Sequence, residues 1–112
     1  MKETERIHHN RQRMGILKAL NVHVGVGEWV DFEEAIEVLD KMDLPMVPNQ
    51  LSFHLRFCEG HGWVDLKRGR TEESANAILK VRLTVVGLDR IDIGKMPDPQ
   101  DTQKFPARER EE

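Results

Sequence analysis

The sequence predicts one small, mainly α-helical domain that carries a single β-hairpin. Two observations support this prediction. Three successive segments repeat their apolar residues at helical spacing, and two shorter segments that follow alternate apolar and polar residues around a polar loop. The chain has 112 residues, the length of one domain. Hydrophobic residues make up 38% and charged residues 33%, a composition typical of a globular domain with a modest core.

The composition also argues against several classes of protein. No apolar run approaches the roughly 18 residues of a membrane-spanning helix. The N-terminal residues lack the apolar stretch of a signal peptide, and the single cysteine, Cys58, permits no internal disulfide. We therefore expect a cytoplasmic protein with no membrane segment. We expect neither an enzyme nor a cofactor, because the sequence has no glycine-rich phosphate loop and no nucleophile with a plausible base.

The first half of the chain predicts two helices. Residues 5–20 place Ile7, Met14, Leu17 and Leu20 near one face of a helix. A very short strand over residues 28–30 follows. Asp31 is a favourable N-cap for the second helix, and Glu34 completes a capping box. This helix runs through Met42, and the prolines of the segment DLPMVP end it.

The second half predicts a third helix, a hairpin and a last short helix. The third helix begins at Pro48, and glycines at positions 60 and 62 end it. The two hairpin strands cover residues 63–68 and 78–83, with a long polar loop between them. Thr84 caps the last helix, which ends at Gly94. The residues predicted to face inward are Leu51, His54, Leu55 and Cys58 on the third helix, and Val64, Leu66, Leu79, Val81 and Leu83 on the strands.

This order of elements, helix, short strand, helix, helix, strand, strand, helix, is that of a winged helix-turn-helix domain. The run Ser52, His54, Leu55, Cys58, Gly62, Trp63 and Val64 resembles the pattern S-x-H-L-x-x-L-x-x-x-G-L-V of ArsR-type regulators. Leu83, Thr84 and Gly87 resemble the L-T-x-x-G that follows the wing in many such families. The resemblance implies a DNA-binding transcriptional regulator that forms a homodimer through its first and last helices.

A narrower resemblance concerns the end of the domain. The segment LTVVGLDRIDIGKMPDP, together with the length of the chain and its helix spacing, is similar to the small winged-helix proteins of Mu-like bacteriophages and prophages. It implies a phage or prophage origin, and it implies no mechanism.

The DNA-binding hypothesis selects one face of the third helix and the hairpin. At about 100° per residue, the side of the third helix opposite Leu51 carries an amide, a hydroxyl and a guanidinium, groups that bind bases and phosphates. The hairpin, or wing, carries several cations that could contact phosphates. The predicted DNA-binding residues are Asn49, Ser52, Phe53, Arg56, Lys67, Arg68, Arg70, Lys80 and Arg82.

The charge distribution argues partly against DNA. Net charge is −3, and residues 28–43 carry seven acidic residues against one lysine, whereas residues 1–18 carry five basic residues against two acidic ones. Acidic residues near a phosphate backbone weaken binding. Phe53 is also unusual on an outward face, and exposed apolar residues often mark a protein interface. The alternative is therefore a protein–protein interaction module, with Phe53 and Phe57 in the contact and no DNA bound.

The ArsR resemblance also raises metal sensing. His54, Cys58 and His61 have a spacing that could bring metal ligands together, but buried cysteine is commonly a small hydrophobic residue, and His61 lies between glycines beyond the helix. We therefore expect no metal site.

The domain is predicted to cover residues 1–94. Residues 95–112 contain three prolines, nine charges and few large apolar residues, so they predict a disordered tail.

Overall fold

The computed structural model describes residues 3–95, with side chains described to Ile91. Its elements are α1 (Glu3–His23), β1 (Trp29–Asp31), α2 (Phe32–Lys41), α3 (Pro48–Gly60), β2 (Val64–Gly69), β3 (Ala77–Leu83) and α4 (Val85–Lys95). The predicted order of elements is confirmed. Gly94 does not end α4, which continues to Lys95. Except for Lys95, the predicted tail over 95–112 lies outside the described residues.

The three strands form one antiparallel sheet in the order β1-β3-β2, with β3 in the centre. The helices pack over it around one core, and Leu51, Leu55 and Cys58 are fully buried there. These residues confirm the predicted inward face of α3. On α1 the buried face begins at Gln12, and Ile7 is 43% exposed, so the prediction that Ile7 belongs to the apolar face is wrong.

The capping box predicted at the start of α2 does not form. No side chain caps this helix, although Asp31 holds the N-cap position in extended conformation. The Asp31 carboxylate accepts a hydrogen bond from Lys80 Nζ at 2.9 Å, and the Glu34 carboxylate pairs with His23. Partners from other elements therefore take both carboxylates, which a capping box would have bonded to backbone amides at the start of α2.

The predicted inward position of Leu79 is also wrong. β2 and β3 pair Lys67 with Lys80 and Arg68 with Ile78, so Leu79 is the extra residue of a β-bulge. The bulge shifts the alternation by one, which buries Ile78 at 6% exposure and leaves Leu79 39% exposed. Leu79 covers Gly69, where an added Cβ would collide with the Leu79 side chain.

The L-T-x-x-G motif joins the exit of the wing to the end of α3. The Thr84 hydroxyl accepts a hydrogen bond from the Gly87 amide at 3.0 Å, which confirms Thr84 as the cap of α4, and it donates to the Gly62 carbonyl at 2.6 Å. A Cβ at position 87 would collide with the Trp63 carbonyl oxygen. The motif therefore lets α4 begin in close contact with the turn that follows α3.

Candidate nucleic-acid interface

The face of α3 that points away from the core is exposed. Phe53 is 49% exposed, Asn49 and Arg56 are also exposed, and Ser52 is half-buried. Together with the start of α2 and the tip of the hairpin, this face lines a groove of about 1130 Å³. We call it the α3–wing groove; its lining residues are Asp31, Phe32, Glu33, Ile36, Pro48, Asn49, Ser52, Phe53, Arg56, Phe57, Thr71, Glu73, Ser74, Asn76, Ala77, Ile78 and Leu79.

Three of the five predicted wing cations are neutralised by acidic residues of the same domain. The Arg68 guanidinium donates two hydrogen bonds to the Glu59 carboxylate, at 2.9 and 2.5 Å. The other two pairs are Lys80 with Asp31 at 2.9 Å and Arg82 with Asp65 at 2.7 Å. Lys67 and Arg70 make no ion pair within residues 3–91, so they are the wing cations that remain available to phosphates.

The pair between Glu59 and Arg68 also shifts the pKa of both groups. The hydrogen bonds from Arg68 lower the pKa of the Glu59 carboxyl, and the same bonds raise the pKa of Arg68. Both shifts favour the charged pair. Arg68 is therefore held against the end of α3, and it is a poorer phosphate ligand than its position on the wing suggests.

Trp29 supports the remaining side of the wing. The Lys67 ammonium lies 4.9 Å and the Arg82 guanidinium 4.4 Å from the centre of its ring. Cation–π contacts of this kind leave the cation charged while ordering its stem. Lys67 is thereby oriented without being neutralised.

A buried polar cluster holds α3 against α1. The inward position of His54 was predicted and is confirmed, whereas its partners Gln12 and Arg13 were not predicted. His54 Nδ1 accepts a hydrogen bond from Arg13 Nε at 3.2 Å, and His54 Nε2 lies 2.9 Å from Gln12 Oε1. Since an amide oxygen only accepts, Nε2 carries the proton and the ring is neutral. Burial first, and then electrostatic repulsion from Arg13, His9 and His8, lower the pKa of His54 to about 4.

Arg13 is the least expected member of this cluster. It is 6% exposed, and its guanidinium carbon lies 3.4 Å from the centre of the Phe57 ring and 5.5 Å from that of Phe53. Phe57 therefore stacks on a buried cation, and this contact explains why its side chain turns partly inward. Nothing in the spacing of α1 indicated that this arginine lies inside, because its hydrogen-bond partner His54 is 41 positions away in the chain.

The three residues considered as metal ligands have other roles. Both ring nitrogens of His54 are engaged within the protein, and burial raises the pKa of the Cys58 thiol to about 12, so this thiol stays protonated. His61 stacks on Trp63 with 4.7 Å between ring centres. Among the residues described, no three His, Cys, Asp or Glu side chains are arranged to hold a metal ion.

Comparison with solved structures identifies the fold. A PadR-like transcription factor from Bacteroides fragilis superposes with a TM-score of 0.63, over 90% of this chain and 87% of the other, at 13% sequence identity. The fold is a winged helix-turn-helix. No family model and no curated protein matches the sequence.

In winged helix-turn-helix terms, α3 is the third helix and β2–β3 form the wing. At 13% identity the likeness establishes the architecture alone. No helix within residues 3–95 is long and apolar enough to cross a membrane.

Proposed function

We propose that this protein is a small DNA-binding regulator that contacts duplex DNA with the outward face of α3 and with the wing. The observation that carries the proposal is that α3 is left uncovered on its outward face, where Asn49 and Arg56 are exposed. In helix-turn-helix domains this face enters the major groove. Lys67 and Arg70, unpaired within residues 3–91, provide phosphate contacts beside it.

The ion pairs of the wing limit how strongly DNA is held. Three cations, Arg56 on α3 and Lys67 and Arg70 on the wing, form no ion pair with any described residue. Each phosphate contact contributes about −0.9 to the slope of log affinity against log salt concentration. We therefore expect a slope of about −3 for one domain, shallower than five free wing cations would give.

We propose further that the protein acts as a homodimer through α1 and α4, which pack against each other in the monomer. Three valines on these helices support the proposal by their exposure: Val22 is 72%, Val85 63% and Val86 53% exposed. A dimer would present two wings to the DNA and double the salt slope. Sedimentation velocity on the parent and on a Val85→Lys variant tests this, because a lysine at a dimer contact would give a monomer.

The DNA-binding proposal is tested by removing the two available wing cations. Lys67→Ser with Arg70→Ser should weaken binding to a mixed-sequence duplex of about 20 base pairs at about 50 mM salt and flatten the salt slope by about two per domain. Lys18→Ser with Lys41→Ser is the matched control, because it removes the same charge from exposed positions that do not line the groove. Equal effects of the two double variants would mean that the affinity for DNA depends only on the total charge of the protein.

A second candidate is a protein-interaction module that uses the same face. The observation that favours it is the half-exposed Phe53 in a groove whose charged lining is mainly acidic.

A further inference from the structure

DNA binding leaves the floor of the α3–wing groove unexplained. Its apolar side chains come from three separate elements: Ile36 from α2, Phe53 and Phe57 from α3, and Ile78 and Leu79 from the wing. Two of them stay accessible, Phe53 at 49% and Leu79 at 39% exposure. An apolar surface contributes little binding free energy to a charged phosphate backbone. The apolar face of a protein segment, in contrast, would be stabilised by every side chain that it buries there.

The bulge in the wing makes this floor. In an unbroken alternation Ile78 and Leu79 would lie on opposite faces of β3, and only one of them could face the groove. With the bulge at Leu79 both residues line the groove, Ile78 as a buried side chain and Leu79 as one that is 39% exposed. Gly69 on β2, which pairs with Ala77, lacks the side chain that would collide with Leu79 in this position.

The charges around the floor are mainly acidic. Four charged residues line the groove, namely Asp31, Glu33, Glu73 and Arg56. Lys80 neutralises Asp31, whereas Glu33 and Glu73 are exposed and make no ion pair within residues 3–91. These two unpaired carboxylates favour lysine and arginine in a segment that lies in the groove.

We propose that the α3–wing groove binds an amphipathic segment of a partner protein, with an apolar row that packs on Phe53 and Leu79 and with basic residues that face Glu33 and Glu73. Its volume of about 1130 Å³ exceeds the roughly 300–1,000 Å³ of small-molecule pockets, and a lining drawn from α2, α3 and the wing suits a helix laid into a groove. The segment covers the outward face of α3, so partner and DNA exclude each other. The proposal depends on the apolar floor and the acidic rim of the groove, and not on whether the protein binds DNA.

The test uses designed peptides as probes of this chemistry, with the full-length chain. The first is a peptide of about 14 residues with leucine along one helical face and lysine elsewhere. The second replaces every lysine by glutamate, and the third replaces every leucine by serine. Fluorescence anisotropy of labelled peptides at about 150 mM salt should show the leucine–lysine peptide binding about tenfold or more tightly than either of the others, because only it satisfies both floor and rim.

Variants of the chain locate the peptide. Phe53→Ala should weaken the leucine–lysine peptide about tenfold, whereas Met42→Ala, the matched truncation of a side chain that is 44% exposed outside the groove, should not change its affinity. Glu33→Gln with Glu73→Gln should weaken it several-fold, whereas Glu37→Gln with Asp40→Asn removes the same charge from positions that do not line the groove. Melting curves of each variant confirm that it is folded.

Two results would overturn the inference: equal binding of the glutamate peptide, or equal effects of Phe53→Ala and Met42→Ala. If Phe53→Ala weakens duplex DNA while no peptide binds, the groove serves DNA; the inference is then wrong and the proposed regulator stands. If the leucine–lysine peptide binds through Phe53 and no duplex binds at low salt, the regulator proposal fails and the inference stands.

Discussion

His54 is buried in the neutral form, and this makes the folding stability depend on pH. Its pKa is about 4 in the folded chain, against about 6.5 for an exposed histidine in the unfolded chain. Above about pH 6.5 neither state is protonated, and the stabilisation is complete. As the pH falls from about 6.5 to about 4, His54 becomes protonated in the unfolded chain but stays neutral in the folded chain. The free energy of unfolding therefore decreases. Below about pH 4 both states are protonated and this contribution changes no further.

The size of the effect follows from the difference of the two pKa values. One pKa unit corresponds to about 1.4 kcal/mol. His54 should therefore lower the free energy of unfolding by about 3 kcal/mol between about pH 7 and about pH 4. This is a large part of the total stability of a domain of this size, which is about 5–15 kcal/mol.

The comparison that isolates this contribution is His54→Gln. A glutamine amide can accept the hydrogen bond from Arg13 and donate one to Gln12, and it does not titrate. Urea unfolding followed by tryptophan fluorescence at half-unit steps from about pH 7.5 to about pH 4 should show a steeper loss in the parent than in the variant. Acid-sensitive pairs such as Glu59 with Arg68 act in both proteins and cancel in the difference. Parallel profiles would show that His54 is not buried neutral, and the cluster between α1 and α3 would be wrong.

Three further predictions concern the core, the L-T-x-x-G motif and the cysteine. Leu55→Ala should lower the free energy of unfolding by about 2–4 kcal/mol, because Leu55 is fully buried; a melting temperature within a degree or two of the parent would contradict its place in the core. Gly87→Ala should cost about 1–3 kcal/mol in urea unfolding because its Cβ collides with the Trp63 carbonyl, and Gly60→Ala, whose Cβ meets nothing within 4 Å, is the control. Cys58 should resist a thiol reagent at about pH 8 in the native protein and react fully in urea, since its thiol is buried and has a pKa of about 12; rapid native labelling would show that α3 is not docked.

The sequence predicted those features that depend on local spacing. The order of elements, the inward face of α3 and the cap at Thr84 each follow from residues a few positions apart, and each is confirmed. Local spacing is therefore enough to predict the winged helix-turn-helix fold of this chain.

The features that were missed depend on partners distant in the chain. Asp31 and Glu34 form a good local capping pattern, but Lys80 and His23 compete for their carboxylates. The bulge at Leu79 shifts the alternation of one strand and leaves no signal in the residues themselves. The buried position of Arg13 requires His54, 41 positions away.

The sequence predicted which cations lie on the wing, but it did not predict which of them acidic residues neutralise. Arg68, Lys80 and Arg82 lie on the wing as expected, but each faces an acidic partner. Asp65 and Arg82 are directly opposite in the paired strands. Once the register of the strands is known, this pair follows from the sequence. A count of the cations alone overestimated the positive charge of the wing, because the positions of the acidic side chains beside them were not known.

The outward face of α3 and the wing are the surfaces that we propose contact duplex DNA. The most direct measurement is a titration of the ¹⁵N-labelled protein with a mixed-sequence duplex of about 20 base pairs at about 50 mM salt, followed by amide chemical shifts. We expect shifts at Asn49, Phe53 and Arg56 and at the amides around Lys67 and Arg70, and no shifts along Glu37 to Lys41 of α2. An unchanged spectrum at saturating duplex, or shifts that avoid α3 and the wing, would contradict this proposal.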